Sequence, residues 1–277
     1  MRSKTKLIAL DLDGTLLTSE KKITPYTGKI LQDAAAQGII VMPATGRPIS
    51  GIPKELFDIL DFKYAVTANG GRIIDMRQNK AIYECPVPLE TARILLDIFE
   101  HYDTLREIYY DGKGYAEKDA LEDIDRYLEE APMADYLVKT RIAVPDIRAK
   151  FEEENRGSDK VQAIFANIED RNAALEELKA IPDIEVTGAL TKNIEVNAAG
   201  VSKGNALIQL GMILGISREE IMAFGDGSND LSMIHKAGIG VAMLNGTEEV
   251  RAAADYVTTL SNDEDGVAHF IEEHVLQ

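Results

Sequence analysis

The stretch LIALDLDGT, residues 7–15, decides how the rest of the chain is read. Leu7–Leu10 are four apolar residues in a row, the pattern of a short strand buried on both faces, as in a parallel sheet. Asp11 and Asp13 follow. Residues two apart in extended chain point to the same side, so their carboxylates converge on one small volume. Gly14 then lets the chain turn without a side-chain clash. A calcium-binding EF-hand loop is excluded. With Asp11 as its first position, the required glycine is Leu16 and the required acid is Lys22.

Outward from this stretch the pattern alternates. A helix is expected over 24–37, with Thr24 as N-cap, Pro25 at the first helical position and Gly38 after its end. GIIVMPATGR (38–47) supplies a second strand, PISGIPKELFDIL (48–60) a helix and YAVTANGG (64–71) a third strand. The last third repeats the grammar: a helix over 202–215, strand IMAFGD (221–226), a helix from 228, strand IGVAML (239–244), a helix opened by Thr247, DYVTTL (255–260) and a closing helix from 266. Such alternation predicts an α/β fold, a Rossmann-like, doubly wound parallel sheet with helices on both faces. The middle differs. Helices at 89–102, 120–131 and 171–181 mix with strands at 107–112, 114–119, 160–168 and 184–190, which reads as an inserted α+β domain. The expected organisation is a discontinuous core of residues 1–84 and 191–277, interrupted by an insertion at 85–190.

Composition sets limits. The 277 residues carry 47 acidic against 30 basic side chains, a formal charge of −17, which argues against nucleic acid as a partner. No apolar run approaches the ~18 residues of a membrane span. The apolar run after the basic start ends at Leu10, too short for a secretory segment, so a cytoplasmic location is expected. One cysteine, Cys85, excludes an internal disulfide framework or a cysteine metal cluster. An acidic protein can still hold a small anion where a cation or metal ion dominates the local field.

In an open parallel sheet, ligands bind beyond the carboxyl ends of the strands. The suspicious polar groups gather there: Asp11 and Asp13 after the first strand, Thr45, Gly46 and Arg47 after the second, Asn69 after the third, and Asp226, Asn229 and Asp230 after IMAF. So many carboxylates at one edge would repel one another without a cation, and hard oxygen ligands suit Mg2+. A carboxylate beside such an ion can attack phosphorus, while a neighbouring carboxyl moves the proton. The Thr45 hydroxyl, backbone N–H groups at Leu12 and Gly46, and Lys203 at a helix start are candidates to hold the phosphoryl charge. Arg47 and Asn69, and Glu195 and Asn197 before the Lys203 motif, are further candidates for ligand contact. In the insertion Tyr109, Tyr110, Lys139 and Arg141 are reachable polar groups, read first as packing or surface residues.

Taken together and in this order, DLDGT (11–15), ATGR (44–47), GVSKG (200–204) and GDGSND (225–230) resemble the haloacid dehalogenase superfamily, and within it the Cof-type phosphatases with a C2B cap. The resemblance implies Asp11 as nucleophile forming an aspartyl-phosphate and Asp13 as general acid and base. It implies Mg2+ held by the Asp11 carboxylate, the Asp13 backbone carbonyl and Asp226, with Asp230 as a supporting acid. Thr45, Lys203, Asn229 and the backbone at Leu12 and Gly46 would grip the phosphoryl group. The expected activity is hydrolysis of phosphomonoesters of small metabolites, sugar phosphates foremost, with no membrane and no obligate protein partner. A sugar phosphomutase and a non-catalytic sensor of a phosphorylated ligand stand as alternatives.

Overall fold

The computed structural model describes residues 5–188 and 190–276; the first four residues of the basic start, Ala189 and Gln277 lie outside them. Two units emerge, one drawn from Met1–Gly46, Ile52–Tyr83 and Ser202–Gln277, the other from Arg47–Gly51 and Glu84–Val201.

The first unit is built on a five-stranded parallel sheet. Its order is Tyr256–Val257, Ile239–Ala242, Ile221–Gly225, Leu7–Leu10, Ile40–Pro43. Leu7–Leu10 is fully buried between the middle strand and the edge strand, aligned with Ile221 on one side and Ile40 on the other. Its two faces are covered as the run of apolar residues demands. Leu7 and Ala9 pack with Met42, Leu207, Leu210 and Ala223 in one cluster. The expected first helix spans Pro25–Ala36, where Thr24 accepts from Thr27 N at 3.0 Å. Beyond the second strand a bridge from Ala44 to Val66 joins Tyr64–Thr67, and Thr45 N donates to Val66 O at 2.9 Å. Tyr64–Thr67 then heads a three-stranded sheet with Arg72–Asp75 and Lys80–Glu84, two strands the sequence reading lacks. The single helix expected over 48–60 is a short turn at Ile49–Gly51 and a helix at Lys54–Ile59. Pro53 separates them, because proline offers no N–H and disfavours helical geometry in the residue before it.

The second unit carries a six-stranded mixed sheet, in the order Ile184–Thr187, Asn193–Ala198, Lys160–Phe165, Thr104–Tyr110, Lys113–Glu117, Ile142–Val144. The expected boundary at 190 shifts to Val201. Asn193–Ala198 pairs antiparallel with Ile184–Thr187 and with Lys160–Phe165, so it belongs to this sheet and not to the core. Side chains alternate across it. Ile108, Val161, Ala163, Phe165, Ile194 and Val196 pack on one face with Leu95, Phe99, Phe151 and Leu178 from three helices. Glu107, Tyr109, Lys160, Gln162, Glu195 and Asn197 occupy the alternate positions and are also buried. The helix expected over 120–131 is instead a turn of helix at Lys118–Glu122, a second turn at Ile124–Arg126 and a new helix at Ala131–Thr140.

Candidate active site

At the carboxyl end of the first strand, Asp11 N donates to Phe224 O of the neighbouring strand at 3.0 Å, which extends the ladder one residue past the strand. The chain then folds back: Leu16 N and Leu17 N donate to the carbonyls of Asp11 and Leu12. Gly14 has φ +77°, and a Cβ there would sit 2.4 Å from Asp226 Oδ2. Only glycine combines that φ with so close an approach.

Asp230 stands at the end of the short turn Ser228–Asp230. One of its oxygens, Oδ2, accepts from Asp226 N at 2.9 Å and Gly227 N at 3.0 Å. The other accepts from Lys203 Nζ at 2.6 Å, and the same ammonium donates to Asp11 Oδ1 at 2.5 Å. Lys203 and Asp230 are wholly buried and Asp11 is 6% exposed. Lys203 is the first residue of helix Lys203–Leu214, whose N-cap Ser202 accepts from Asn205 N. The helix comes this close because Gly204 has no side chain: a Cβ would lie 2.1 Å from Ser232 O. Gly204 N donates to Ser232 Oγ at 3.0 Å.

The electrostatics follow from this crowding. Burial lifts the Asp11 carboxyl well above the usual carboxylate range, and Asp230 adds to the lift against the opposing Lys203. Burial and then Asp230 push Asp226 up to about 7, against the hydrogen bond from Thr15 and the charge of Lys203. Burial alone would lower Lys203, but Asp11 and Asp230 outweigh it and raise the ammonium above its ordinary range. Asp11, Asp226 and Asp230 each offer an oxygen, all within 4.8 Å of one another. An all-oxygen donor set with an excess of negative charge fits a hard divalent cation.

The first unit therefore brings together Asp11, Asp226, Asp230 and Lys203 by direct contact. Thr45 is buried at the end of the second strand, where its carbonyl accepts from Asn69 N at 3.1 Å. Leu12 is buried, and Asp13, Gly46 and Asn229 are half-buried. Arg47 falls in the second unit. Its guanidinium lies 4.0 Å over the Tyr136 ring and donates to Gly51 O at 3.0 Å. Glu195 and Asn197 also lie in the second unit, Glu195 paired with Lys160 at 2.7 Å and Asn197 donating to Asp159 O at 3.0 Å. Arg141 donates to Glu107 Oε2 at 3.0 Å and to the Tyr109 hydroxyl at 2.9 Å, whereas Lys139 is an exposed partner of Asp135.

Two contributors escape a sequence reading. Thr15 Oγ1 donates to Asp226 Oδ1 at 2.7 Å across 211 residues, and Lys21 Nζ donates to Asp13 Oδ1 at 2.8 Å. Thr15 lies inside DLDGT, so its place in a motif was the available signal; Lys21 left none.

The comparisons with known proteins agree with this geometry. The family model for haloacid dehalogenase-like hydrolases matches residues 8–271. The chain is 34% identical to the 5-amino-6-(5-phospho-D-ribitylamino)uracil phosphatase YcsE of Bacillus subtilis (strain 168), over 98% of this chain and 96% of that protein. Among solved structures, a haloacid dehalogenase-like hydrolase from Bacteroides thetaiotaomicron superposes with a TM-score of 0.83 at 33% identity, covering 98% of this chain and 99% of the other. The subclass IIB sugar phosphatase BT4131 superposes with a TM-score of 0.82 at 28% identity, covering 97% and 98%. With nearly its whole length matched, the chain belongs to the haloacid dehalogenase-like hydrolases, as a Cof-type phosphatase.

Proposed function

We propose that this enzyme hydrolyses the phosphomonoesters of small polyhydroxylated metabolites, sugar phosphates foremost, through a phosphorylated Asp11 and with Mg2+ as the metal. The observation that carries the reading is the buried Asp11–Lys203–Asp230 array beside Asp226 at the carboxyl ends of the central strands. Asp11, Asp226 and the Asp13 backbone carbonyl would hold the ion, with Asp230 supporting them. Bound there, Mg2+ would offset the carboxylates' mutual repulsion and the charge of the phosphoryl oxygens.

In the first step Asp11 Oδ attacks phosphorus as the ester P–O bond breaks, and Asp13 gives its proton to the leaving oxygen. In the second, Asp13 takes a proton from the water whose oxygen bonds to phosphorus, and the Asp11–phosphorus bond breaks. Lys203 keeps Asp11 oriented and, with Thr45, Asn229 and the N–H groups at Leu12 and Gly46, balances the phosphoryl charge. For the substrate, support comes from two relatives: one is called a sugar phosphatase, and the other is named for a phosphate on a ribityl chain. No helix among the described residues is long and apolar enough to cross a membrane, and we place the enzyme in the cytoplasm.

The test is inorganic phosphate release from p-nitrophenyl phosphate and a panel of sugar and polyol phosphates, by wild type and Asp11→Asn, with Mg2+ and with excess chelator. Release should need both Asp11 and the metal. Turnover that survives both losses rules the mechanism out, and isomerised sugar phosphate in place of free phosphate would favour a mutase.

A further inference from the structure

Past the strand Ile239–Ala242, in the first unit, a tight turn reaches both loops that carry the candidate metal ligands. It closes with Gly246 N donating to Met243 O at 2.9 Å, and Met243 N donates to Gly225 O at 3.0 Å, beside Asp226. The turn is anchored from behind, where Leu244 N donates to the buried hydroxyl of Thr258 at 2.9 Å. On one side Thr247 N donates to Asp226 O at 2.9 Å. On the other, Asn245 Nδ2 donates to Gly14 O at 2.8 Å, across 231 residues.

Asn245 is exposed, where a side-chain amide is ordinarily satisfied by water. This one is held at both ends. Its Nδ2 donates to Gly14 O, and its Oδ1 accepts from Asn262 N at 3.0 Å. Exchanging the two atoms would lose both bonds, so the neighbours fix which way the amide faces. Asn262 is anchored in turn: it is buried and donates through Nδ2 to Leu17 O at 2.9 Å. Gly14 O belongs to the peptide that joins Gly14 to Thr15, and the Thr15 hydroxyl donates to Asp226 Oδ1 at 2.7 Å. Fixing that peptide fixes where Thr15 points, and Thr15 holds one oxygen of Asp226. Groups that orient a ligating carboxylate in this way govern how well it binds its ion.

We propose that Asn245 is a positioning residue for the cation site: from a turn that already grips the Asp226 backbone, it pins the Gly14–Thr15 peptide and, through the Thr15 hydroxyl, orients the Asp226 carboxylate. The role rests on the reading of Asp11, Asp226 and the Asp13 backbone carbonyl as Mg2+ ligands. Asn245 acts through Thr15 and supplies no ligand atom itself.

The experiment is calorimetric titration of Mg2+ into chelator-treated protein at pH 8, with circular dichroism of each variant to establish that it is folded. Asn245→Ala should raise Kd by about tenfold, the low end of the roughly 10–100-fold cost of losing a partner around a metal ligand. Ser19→Ala cuts a different exposed tie of the same loop, the bond from Oγ to Asp263 Oδ2, and should leave Kd within about twofold of wild type. In a Thr15→Val background, Asn245→Ala should add less than about a threefold rise, because residues that act through one contact do not add. An unchanged Kd in Asn245→Ala overturns the proposal. So does an equal rise in Ser19→Ala, which would show a mere loop prop, or an undiminished rise in the Thr15→Val background. A wild type that binds Mg2+ no better than Asp226→Asn overturns the ligand reading and this role with it.

Discussion

Replacing Lys203 with methionine removes the cation between Asp11 and Asp230 while keeping a similar buried stem. Both hydrogen bonds, at 2.5 and 2.6 Å, are lost in a setting where the lysine and Asp230 side chains have no solvent contact. Breaking a buried ion pair from one side costs about 3–5 kcal/mol, because the stranded charge stays behind. For a unit of this size each kcal/mol moves the melting temperature by about 2–4 °C, so a fall of about 6–20 °C is expected at pH 8 in chelator. The acids make this penalty depend on pH. Asp11 and Asp226 already hold their protons above the ordinary carboxylate range, with Asp226 at about 7, and Lys203 opposes both shifts. A carboxyl whose folded pKa exceeds its unfolded one loses stability for the fold as pH rises from the unfolded value to the folded value. Without Lys203 that window widens upward. As pH falls and Asp226 and then Asp11 take up protons, the difference between the two proteins shrinks. The raised pKa of Lys203 itself adds nothing between pH 5 and 8, where the ammonium is charged in both folded and unfolded chains. Melts of both proteins followed by circular dichroism from pH 5 to 8 decide the matter. An unchanged melting temperature at pH 8, or a penalty larger at pH 5 than at pH 8, refutes the reasoning.

Mg2+ added to chelator-treated protein should raise the melting temperature more at pH 8 than at pH 5.5, since Asp11 and Asp226 must release protons to take the ion; a shift independent of pH in differential scanning fluorimetry would contradict the assigned ligands. Gly14→Ala should displace the Asp226 carboxylate, 2.4 Å from the new Cβ, and add about 1–2 kcal/mol of left-handed backbone strain. The expected result is a Mg2+ dissociation constant, from calorimetric titration, raised by about tenfold or more, as loss of a partner near a metal site costs 10–100-fold; wild-type affinity would show that the loop relaxes freely.

The parts legible in the sequence are those in which short-range spacing carries the information. Leu7–Leu10 followed by Asp11 and Asp13 announces a buried strand with acids at its end, and Thr24–Pro25 announces a helix start, because both patterns close within a few residues. The expected start of the core at 191 fails at Asn193–Ala198 for a corresponding reason. Its polar positions, Asn193, Glu195 and Asn197, are buried partners within the second sheet, and nothing local distinguishes them from groups approaching a ligand. Arg47 ends the ATGR motif that follows the second strand, yet the ring it stacks on belongs to Tyr136, 89 positions away in a helix that no expected element matches. Lys21 could not be found at all, since its contact depends on a left-handed φ that no residue pattern there announces.

The pairing of the first strand with the middle strand of the parallel sheet has a consequence for how the chain comes into being. Leu7 lies beside Ile221, so the first strand has no neighbour on that side until 214 more residues have been joined. At the usual pace of a ribosome that is a wait of about 10–40 s. The stretch Glu84–Val201 is continuous and, but for Arg47–Gly51, makes up the whole second unit, so its sheet can be complete while the first still lacks its centre. During this interval LIAL is an apolar edge in search of a partner, the kind of segment that nascent-chain chaperones cover. A chain released before residue 221 would keep its second unit and Asp11, but not the strand that buries Leu7–Leu10 nor Asp226 and Asp230.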